Sequence, residues 1–310
     1  MTRSDATRAP RAFITGVGGF TGRYMAARLA ASGYRVWGTV RGEDRVPSDT
    51  TPIAADLLDE RALADAVETI QPDVVVHLAA VANVAHVDVA SIYTVNVVGT
   101  RNLLEAVARM GKPPRAVLLT SSANVYGNAT EGILDETVAP QPANDYAVSK
   151  LAMEYVAKRW DDKLPIVIAR PFNYTGVGQC DDFLLPKIVA HYARGARTIS
   201  LGNIDVIRDF SDVRDVVDAY ARLIEANSHG KTFNVCSGTG CTLHLVLDSL
   251  AGIAGYNIDV KVDPQFVRKS EVRKLVGSNA KLRATIGETS RIALEDTLRW
   301  MFEDARRRLA

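Results

Sequence analysis

Residues Phe13-Ile14-Thr15 run straight into Gly16-Val17-Gly18-Gly19-Phe20-Thr21-Gly22, and an apolar pattern of helical period follows. That is a strand, a glycine turn and a helix start, and it limits the possible folds more than any other stretch. Gly16 is placed to let the chain turn sharply and Gly19 to let the backbone approach a pyrophosphate. Gly22 is placed to let the helix pack close on its strand, with the helix N-terminus facing the anion. A lone glycine triplet marks any tight turn, whereas in this strand-to-helix context it marks a dinucleotide site. The alternation continues along the chain. Strands are predicted at 12–15, 34–40, 52–55, 73–78, 115–120 and 165–170, and helices at about 20–32, 59–69, 88–110 and 146–160. This predicts an α/β fold built on a doubly wound parallel sheet. After Arg170-Pro171 the pattern gives way to turn signals, short helices and many basic residues. A dinucleotide-binding domain is therefore expected over 1–171, with 204–235 returning to it, and a smaller substrate domain over 172–203 and 236–310.

Composition narrows the class. A chain of 310 residues, 47% hydrophobic and with a formal net charge of +1, can bury a large core. It has no electrostatic field suited to nucleic acid, so no DNA or RNA partner is expected. Cys180, Cys236 and Cys241 show no CxxC spacing and are too few for a disulfide framework, which points to a reducing cytoplasm. No metal site is suggested. The most apolar region, Val74 to Val89, is interrupted by His77, Asn83, His86 and Asp88 and cannot span a membrane. Met1 to Pro10 is polar and lacks the apolar core of a signal peptide.

Two further motifs carry chemistry. Tyr146-Ala147-Val148-Ser149-Lys150 sets a phenol and an ammonium one helical turn apart on one face. A free tyrosine titrates at about 10, so the neighbouring charge is expected to draw Tyr146 toward a proton donor usable at neutral pH. The same spacing also occurs as an ordinary exposed helix pair. Ala116-Val117-Leu118-Leu119 reads as a buried strand delivering Thr120-Ser121-Ser122 at its carboxyl end, where open parallel sheets place their ligands. Serines there also serve as turn residues. His77, after Asp73-Val74-Val75-Val76, reads as a hydrogen-bonded strand end rather than a catalytic group.

Together the glycine turn, Ser122 and the Tyr146/Lys150 pair resemble the extended short-chain dehydrogenase/reductase family. Its pattern is TGxxGxxG, a Ser or Thr ahead of a VYG-like segment, and YxxxK, and Val125-Tyr126-Gly127 supplies that segment. The resemblance covers nearly the whole chain and implies a Rossmann-type sheet with Ser122, Tyr146 and Lys150 as the catalytic set. It also implies cofactor contacts from Gly16, Gly19, Phe20, Thr21, Gly22, Asp56, Leu57, Leu78, Ala79, Ala80 and Asn96, with Tyr146 and Lys150. In the family, the asparagine matched by Asn96 helps hold the catalytic tyrosine region in place. Asp56 is equally readable as a helix N-terminal aspartate. In NAD-preferring members an acidic residue ends the second strand and binds the ribose diol. Here that place is Val40, followed by Arg41. Valine cannot bond the diol, whereas a guanidinium pairs with the 2′-phosphate of NADPH. The other reading has Arg41 solvating a loop while Glu43 or Asp44 reaches the ribose and NADH serves.

The second half resembles the nucleotide-sugar branch of that family. Ala169-Arg170-Pro171-Phe172-Asn173 and the following Tyr174-Thr175-Gly176 match its phosphate-binding segment, which implies that Asn173 binds substrate, and Lys187 is carried over with it. Arg208, in Ile207-Arg208-Asp209-Phe210, is a candidate diphosphate clamp. Asp212 and Asp215 read as helix-capping groups. Val267-Arg268-Lys269-Ser270-Glu271-Val272 is similar to the Arg-x-x-Glu-Val segment of the GDP-sugar enzymes, implying nucleotide contacts from Arg268 and Glu271. Dehydratases of this branch carry a glutamate two positions after the catalytic Ser or Thr. Here that place is Asn124, and an amide cannot shuttle the proton. What the resemblance then implies is NADPH-dependent reduction of the C4 ketone of a GDP-linked 4-keto-6-deoxymannose. The product is GDP-D-rhamnose or GDP-6-deoxy-D-talose, for deoxysugar and surface polysaccharide synthesis. A nucleotide-sugar 4-epimerase is the alternative. Segments 88–110 and 146–160 match those that pair two subunits of related enzymes through a four-helix bundle, so a homodimer is expected.

Overall fold

A computed structural model describes residues 8–40, 46–82, 88–128, 132–267, 272–289 and 291–310. Strands β1 (Arg11–Thr15), β2 (Arg35–Val40), β3 (Thr50–Ala54), β4 (Val74–His77), β5 (Ala116–Thr120) and β6 (Ile166–Pro171) make up the first half. They alternate with helices α1 (Phe20–Ala31), α2 (Glu60–Ile70), α3 (Val89–Tyr93), α4 (Thr100–Ala108) and α5 (Asp145–Ala157). The second half runs β7 (Asn173–Thr175), α6 (Leu184–Ala193), β8 (Thr198–Leu201), β9 (Ile207–Asp212), α7 (Val213–Glu225) and β10 (Lys231–Val235). It continues through β11 (Gly240–Thr242), α8 (Leu243–Ala254), β12 (Asp259–Val262), β13 (Lys274–Leu275), α9 (Ala280–Ile286) and α10 (Leu294–Leu309).

The chain divides into two compact units. One is formed by the chain up to Ser121 with Asn144–Ala169 and Val217–Phe233, the other by Ser122–Ala143, Arg170–Val216 and Asn234–Ala310. The return to the first unit therefore starts at Val217, not at residue 204. The reason is β9, which pairs with β7, β11 and β13 and so holds residues 207–212 in the second unit.

In the first unit lies a seven-stranded sheet of order β10-β6-β5-β4-β1-β2-β3. Every pair from β3 across to β6 is parallel, with Phe13 opposite Trp37 on one side and Val75 on the other. This is the doubly wound α/β sheet expected from the alternation. The strand order reverses between β1 and β4, and ligands of such sheets bind in the crevice at that switch point. Central strands bury both faces, which is why Val74-Val75-Val76 and Ala116-Val117-Leu118-Leu119 show unbroken apolar runs in place of alternation. Phe13, Val75, Val117 and Leu119 pack with Leu63, Val67 and Ile70 of α2 and with Leu103 and Val107 of α4. Each such side chain contributes about 1.5–3 kcal/mol by leaving water.

The second unit has its own apolar core. Leu185, Ile188, Val189 and Tyr192 of α6 pack with Leu243, Val246 and Leu250 of α8 and with Leu298 and Met301 of α10. Its sheet joins β11, β9 and β13, with β7 alongside β9, while β8 and β12 form a separate parallel pair. Among the described residues no helix is long and apolar enough to cross a membrane.

The expected helix at 88–110 is interrupted. Thr94–Gly99 forms a π-helical turn between α3 and α4. Thr100 Oγ1 donates to Asn96 O at 2.7 Å, and the Asn96 side chain is tied across the chain to Val81, accepting from its N–H at 2.8 Å and donating to its carbonyl at 3.1 Å. Such one-residue insertions are frequent at functional sites, because they re-aim a side chain without ending the helix.

Candidate active site

At the switch point Gly16 has φ of 74°, the left-handed region that glycine adopts at no steric cost. A Cβ there would sit 2.8 Å from the backbone of Ala79, so the glycine turn and the segment leaving β4 are in close contact. A Cβ on Gly22 would lie 2.2 Å from Gly16 O, which is why the first turn of α1 can pack against β1 only as glycine. Gly19 takes the N-cap position, no side chain caps the helix, and no acidic residue lies in its first turn. Backbone N–H groups of an uncapped helix start, carrying its positive end, suit a pyrophosphate. The residues present thus fit a dinucleotide. Val40 ends β2, and Arg41 lies outside the described residues.

Asp56 is exposed and its carboxylate accepts from Leu58 N at 2.8 Å. The N-cap of α2 is Asp59, which accepts from Ala62 N at 2.9 Å, so Asp56 is not the capping group. Leu57 is buried, and its carbonyl accepts from Asn102 Nδ2 at 3.1 Å.

His77 is fully enclosed at the end of β4. Thr100 Oγ1 gives its proton to Asn96 O, so it must accept from His77 Nε2, 2.8 Å away. Nδ1, 2.6 Å from Thr15 Oγ1, is then the acceptor. This assigns a neutral imidazole protonated at Nε2. Burial, reinforced by the Lys150 charge, lowers its pKa to about 3. His77 is a fixed strut between β1, β4 and α4 and carries no acid/base duty.

Tyr146 and Lys150 stand on α5, whose N-cap Asn144 accepts from Ala147 N at 2.9 Å. Tyr146 is half-buried and Lys150 is 3% exposed. Lys150 Nζ donates to Thr120 O at 2.7 Å. Burial lowers its pKa to about 8, against an opposing pull from Glu154. Asn96 Nδ2 donates to Ser149 Oγ at 2.9 Å, and Ser149 Oγ donates to Tyr146 O at 2.7 Å. The π-helical turn therefore ties Val81, Asn96 and the backbone of Tyr146 together. Ser149 and Glu154 sit in the same helix at positions the YxxxK motif does not specify, and only their spacing from Lys150 marks them in the sequence.

Each residue of Thr120-Ser121-Ser122 has a distinct task. The Thr120 carbonyl receives Lys150, and its hydroxyl donates to His77 O at 2.8 Å. Ser121 Oγ donates to Glu154 Oε1 at 2.5 Å. Ser122 begins the second unit, 7% exposed, with Oγ accepting from Asn124 N at 3.2 Å at the start of the Ala123–Tyr126 turn. That contact leaves the Ser122 hydroxyl its own proton to give.

Within the second unit Asn173 pairs in register with Phe210, two residues beyond Arg208 on β9. The two-residue period of a strand puts Asn173 and Arg208 on one face. Arg208 Nη1 donates to Ile207 O at 3.0 Å and Arg273 O at 3.3 Å. Next to Arg208 on β9, buried Asp209 accepts from the N–H groups of Ser237, Gly238 and Gly277 and fixes two loops to the strand. Lys187 is separate, on α6, with Nζ donating to Ser200 O at 3.0 Å and lying 4.3 Å from the Phe266 ring. Arg268 and Glu271 lie outside the described residues. Asp212 caps α7, accepting from Arg214 N at 2.8 Å, whereas Asp215 accepts from Ile292 N at 2.9 Å and is a cross-link, not a cap. A cavity of about 160 Å³ between α6 and α10 includes none of Asn173, Lys187 or Arg208. All three cysteines are thiols, and no group of three or more His, Cys, Asp or Glu is placed to hold a metal among the described residues.

Comparison with known proteins gives the family and the fold. Residues 13–301 match the family model described as GDP-mannose 4,6 dehydratase. The GDP-6-deoxy-D-mannose reductase of Pseudomonas aeruginosa PAO1 is 36% identical, covering 95% of this chain and 96% of the relative. The Pseudomonas aeruginosa RMD structure, complexed with NADPH, superposes with a TM-score of 0.85 at 34% identity, covering 97% of this chain and 98% of the other. A crystal structure from Burkholderia cenocepacia J2315, of a protein named only provisionally as an epimerase, has a TM-score of 0.92 at 59% identity, covering 96% and 99%. The chain belongs to the GDP-mannose 4,6-dehydratase family of extended short-chain dehydrogenases/reductases.

Proposed function

We propose that this protein is an NADPH-dependent oxidoreductase that reduces the C4 ketone of a GDP-linked 4-keto-6-deoxyhexose. The observation that carries the reading is the buried Lys150 ammonium, fixed on Thr120 O one turn from Tyr146, in a chain with no carboxylate at position 124. The GDP-6-deoxy-D-mannose reductase relative and the NADPH-bound RMD structure support the same chemistry. Bound NADPH supplies the hydride to C4. Tyr146 gives its phenolic proton to the developing alkoxide, Ser122 donates a second hydrogen bond to that oxygen, and the Lys150 charge stabilises the phenolate left behind. C=O becomes CH–OH, and the proton returns to Tyr146 from solvent.

In this reading the first unit holds the cofactor through Gly16, Gly19, Phe20, Thr21, Gly22, Asp56, Leu78, Ala79 and Ala80. The second holds the GDP-sugar through Asn173, Lys187, Arg208, Arg268 and Glu271. Product would enter deoxysugar and surface polysaccharide synthesis in the cytoplasm. The test is incubation with the 4-keto sugar nucleotide and NADPH, with the product's H4 couplings assigned by NMR as rhamno or talo. No NADPH consumption would overturn the assignment.

The likeness to the provisional epimerase favours one competing reading, a nucleotide-sugar 4-epimerase with the same Ser/Tyr/Lys set. An epimerase keeps its dinucleotide through the cycle, so cofactor retained stoichiometrically after gel filtration would select it.

Arg41→Ala should weaken NADPH binding by about 1.5–3 kcal/mol, the scale of a hydrogen bond to a charged group, and barely affect NADH. Equal losses in titration calorimetry would remove Arg41 from the 2′-phosphate site. A homodimer is also proposed, supported by the exposed apolar side chains Val98, Val148 and Tyr155 on the helices that pair subunits in related enzymes. Light scattering showing a monomer at micromolar concentration would count against it.

A further inference from the structure

Glu154 lies one helical turn beyond Lys150, so Tyr146, Lys150 and Glu154 recur at four-residue spacing along one face of α5. A carboxylate this deeply buried, at 5% exposure, is costly unless it is held and matched by charge. Ser121 Oγ holds it at 2.5 Å, while the carbonyl of the preceding residue, Thr120, holds Lys150 Nζ at 2.7 Å. The last residue of β5 and the one that follows it thus seat the ammonium and the carboxylate. We propose that Glu154 is a positioning residue of the reaction, whose Ser121-anchored carboxylate keeps Lys150 cationic in its buried seat.

The inference rests on reading Tyr146 and Lys150 as the proton-transfer pair. Burial acts against the Lys150 charge, and Glu154 acts for it, leaving Lys150 titrating at about 8. Among the described residues, the other ionisable groups on the surrounding elements do not replace that carboxylate. His77 on β4 is neutral. Tyr93 of α3 is hydrogen-bonded to Asp145. Arg101 and Arg109 of α4 are solvent-exposed, Arg101 close to Glu60 and Arg109 paired with half-buried Glu105. Arg170 of β6 donates to Tyr126 Oη and is itself a cation.

Glu154→Gln keeps an oxygen that can accept from Ser121 and removes only the charge. The measurement is the Lys150 titration in the whole protein, followed by the ¹³Cε shift of labelled lysine and assigned with Lys150→Met. The Gln variant should lower the midpoint by about one pH unit, the scale of losing a neighbouring opposite charge. The alkaline limb of the kcat profile for ketone reduction should move down with it. Glu154→Asp, which retains the charge but draws it back by one methylene, should give a smaller downward shift, and it carries the test if the Gln variant does not fold. An unmoved Lys150 midpoint in either folded variant would overturn the proposal. The NMR titration needs no turnover, so a wild-type protein inactive on the 4-keto sugar would defeat the proposed function while leaving the Glu154–Lys150 coupling separately measured.

Discussion

Tyr146→Phe should slow ketone reduction by about 10²–10⁴-fold, the usual contribution of a positioned general acid, while NADPH affinity stays within a few-fold. At roughly 1.4 kcal/mol per decade this is about 3–5 kcal/mol of transition-state stabilisation from a single hydroxyl. The substitution is clean because Tyr146 is held through its backbone. Its carbonyl accepts from Ser149 Oγ, and the helix start is capped by Asn144, neither of which needs the phenolic oxygen. The loss should fall on kcat and kcat/KM together, as for an interaction made only in the transition state. Single-turnover reduction at saturating NADPH is the direct measurement. Near-normal turnover would mean that the proton comes from elsewhere, with Ser122 the first group to examine.

Much of this arrangement is legible in the sequence for reasons tied to particular residues. The glycine turn declares itself because a positive φ at Gly16 and the space under Gly22 allow no side chain. The strands around it declare themselves because a doubly covered parallel sheet demands unbroken apolar runs. The π-helical turn at Thr94–Gly99 does not, since an apolar stripe with one residue inserted still reads as a helix. What creates it is a long-range hydrogen-bond set, Asn96 with Val81 and Ser149, that no local pattern encodes. The second unit is poorly legible for a different reason. Strands of two or three residues, such as β7, β11 and β13, are too short to show a period, and they exist because β9 offers edges for them. Asp215 illustrates the same limit. Its place in the first turn of α7 reads as a cap, yet its partner, Ile292, is 77 residues away.

Supplied with GDP-mannose and oxidised cofactor, the protein should release no 4-keto-6-deoxy product, although its family model carries the name of a dehydratase. Elimination of water from the sugar needs a group that can take a proton and return one to the departing hydroxyl. Thr120 to Asn128 contains no carboxylate, and Asn124 is held in the Ala123–Tyr126 turn, its N–H on Ser122 Oγ and its carbonyl accepting from Gly127 N at 3.1 Å. The next acidic side chains of the same unit are Glu131, which lies outside the described residues, then Asp135 and Glu136. Asp135 accepts from both the N–H and the hydroxyl of Thr137, which holds its pKa below the ordinary carboxylate value and leaves it ionised, with no proton to donate, at neutral pH. Glu136 is committed to Asn234 N at 2.7 Å. Of these three, Glu131 is the one left to test as the missing acid. Detectable conversion of GDP-mannose by the purified protein, abolished in Glu131→Gln, would place the chain on the dehydratase side of its family.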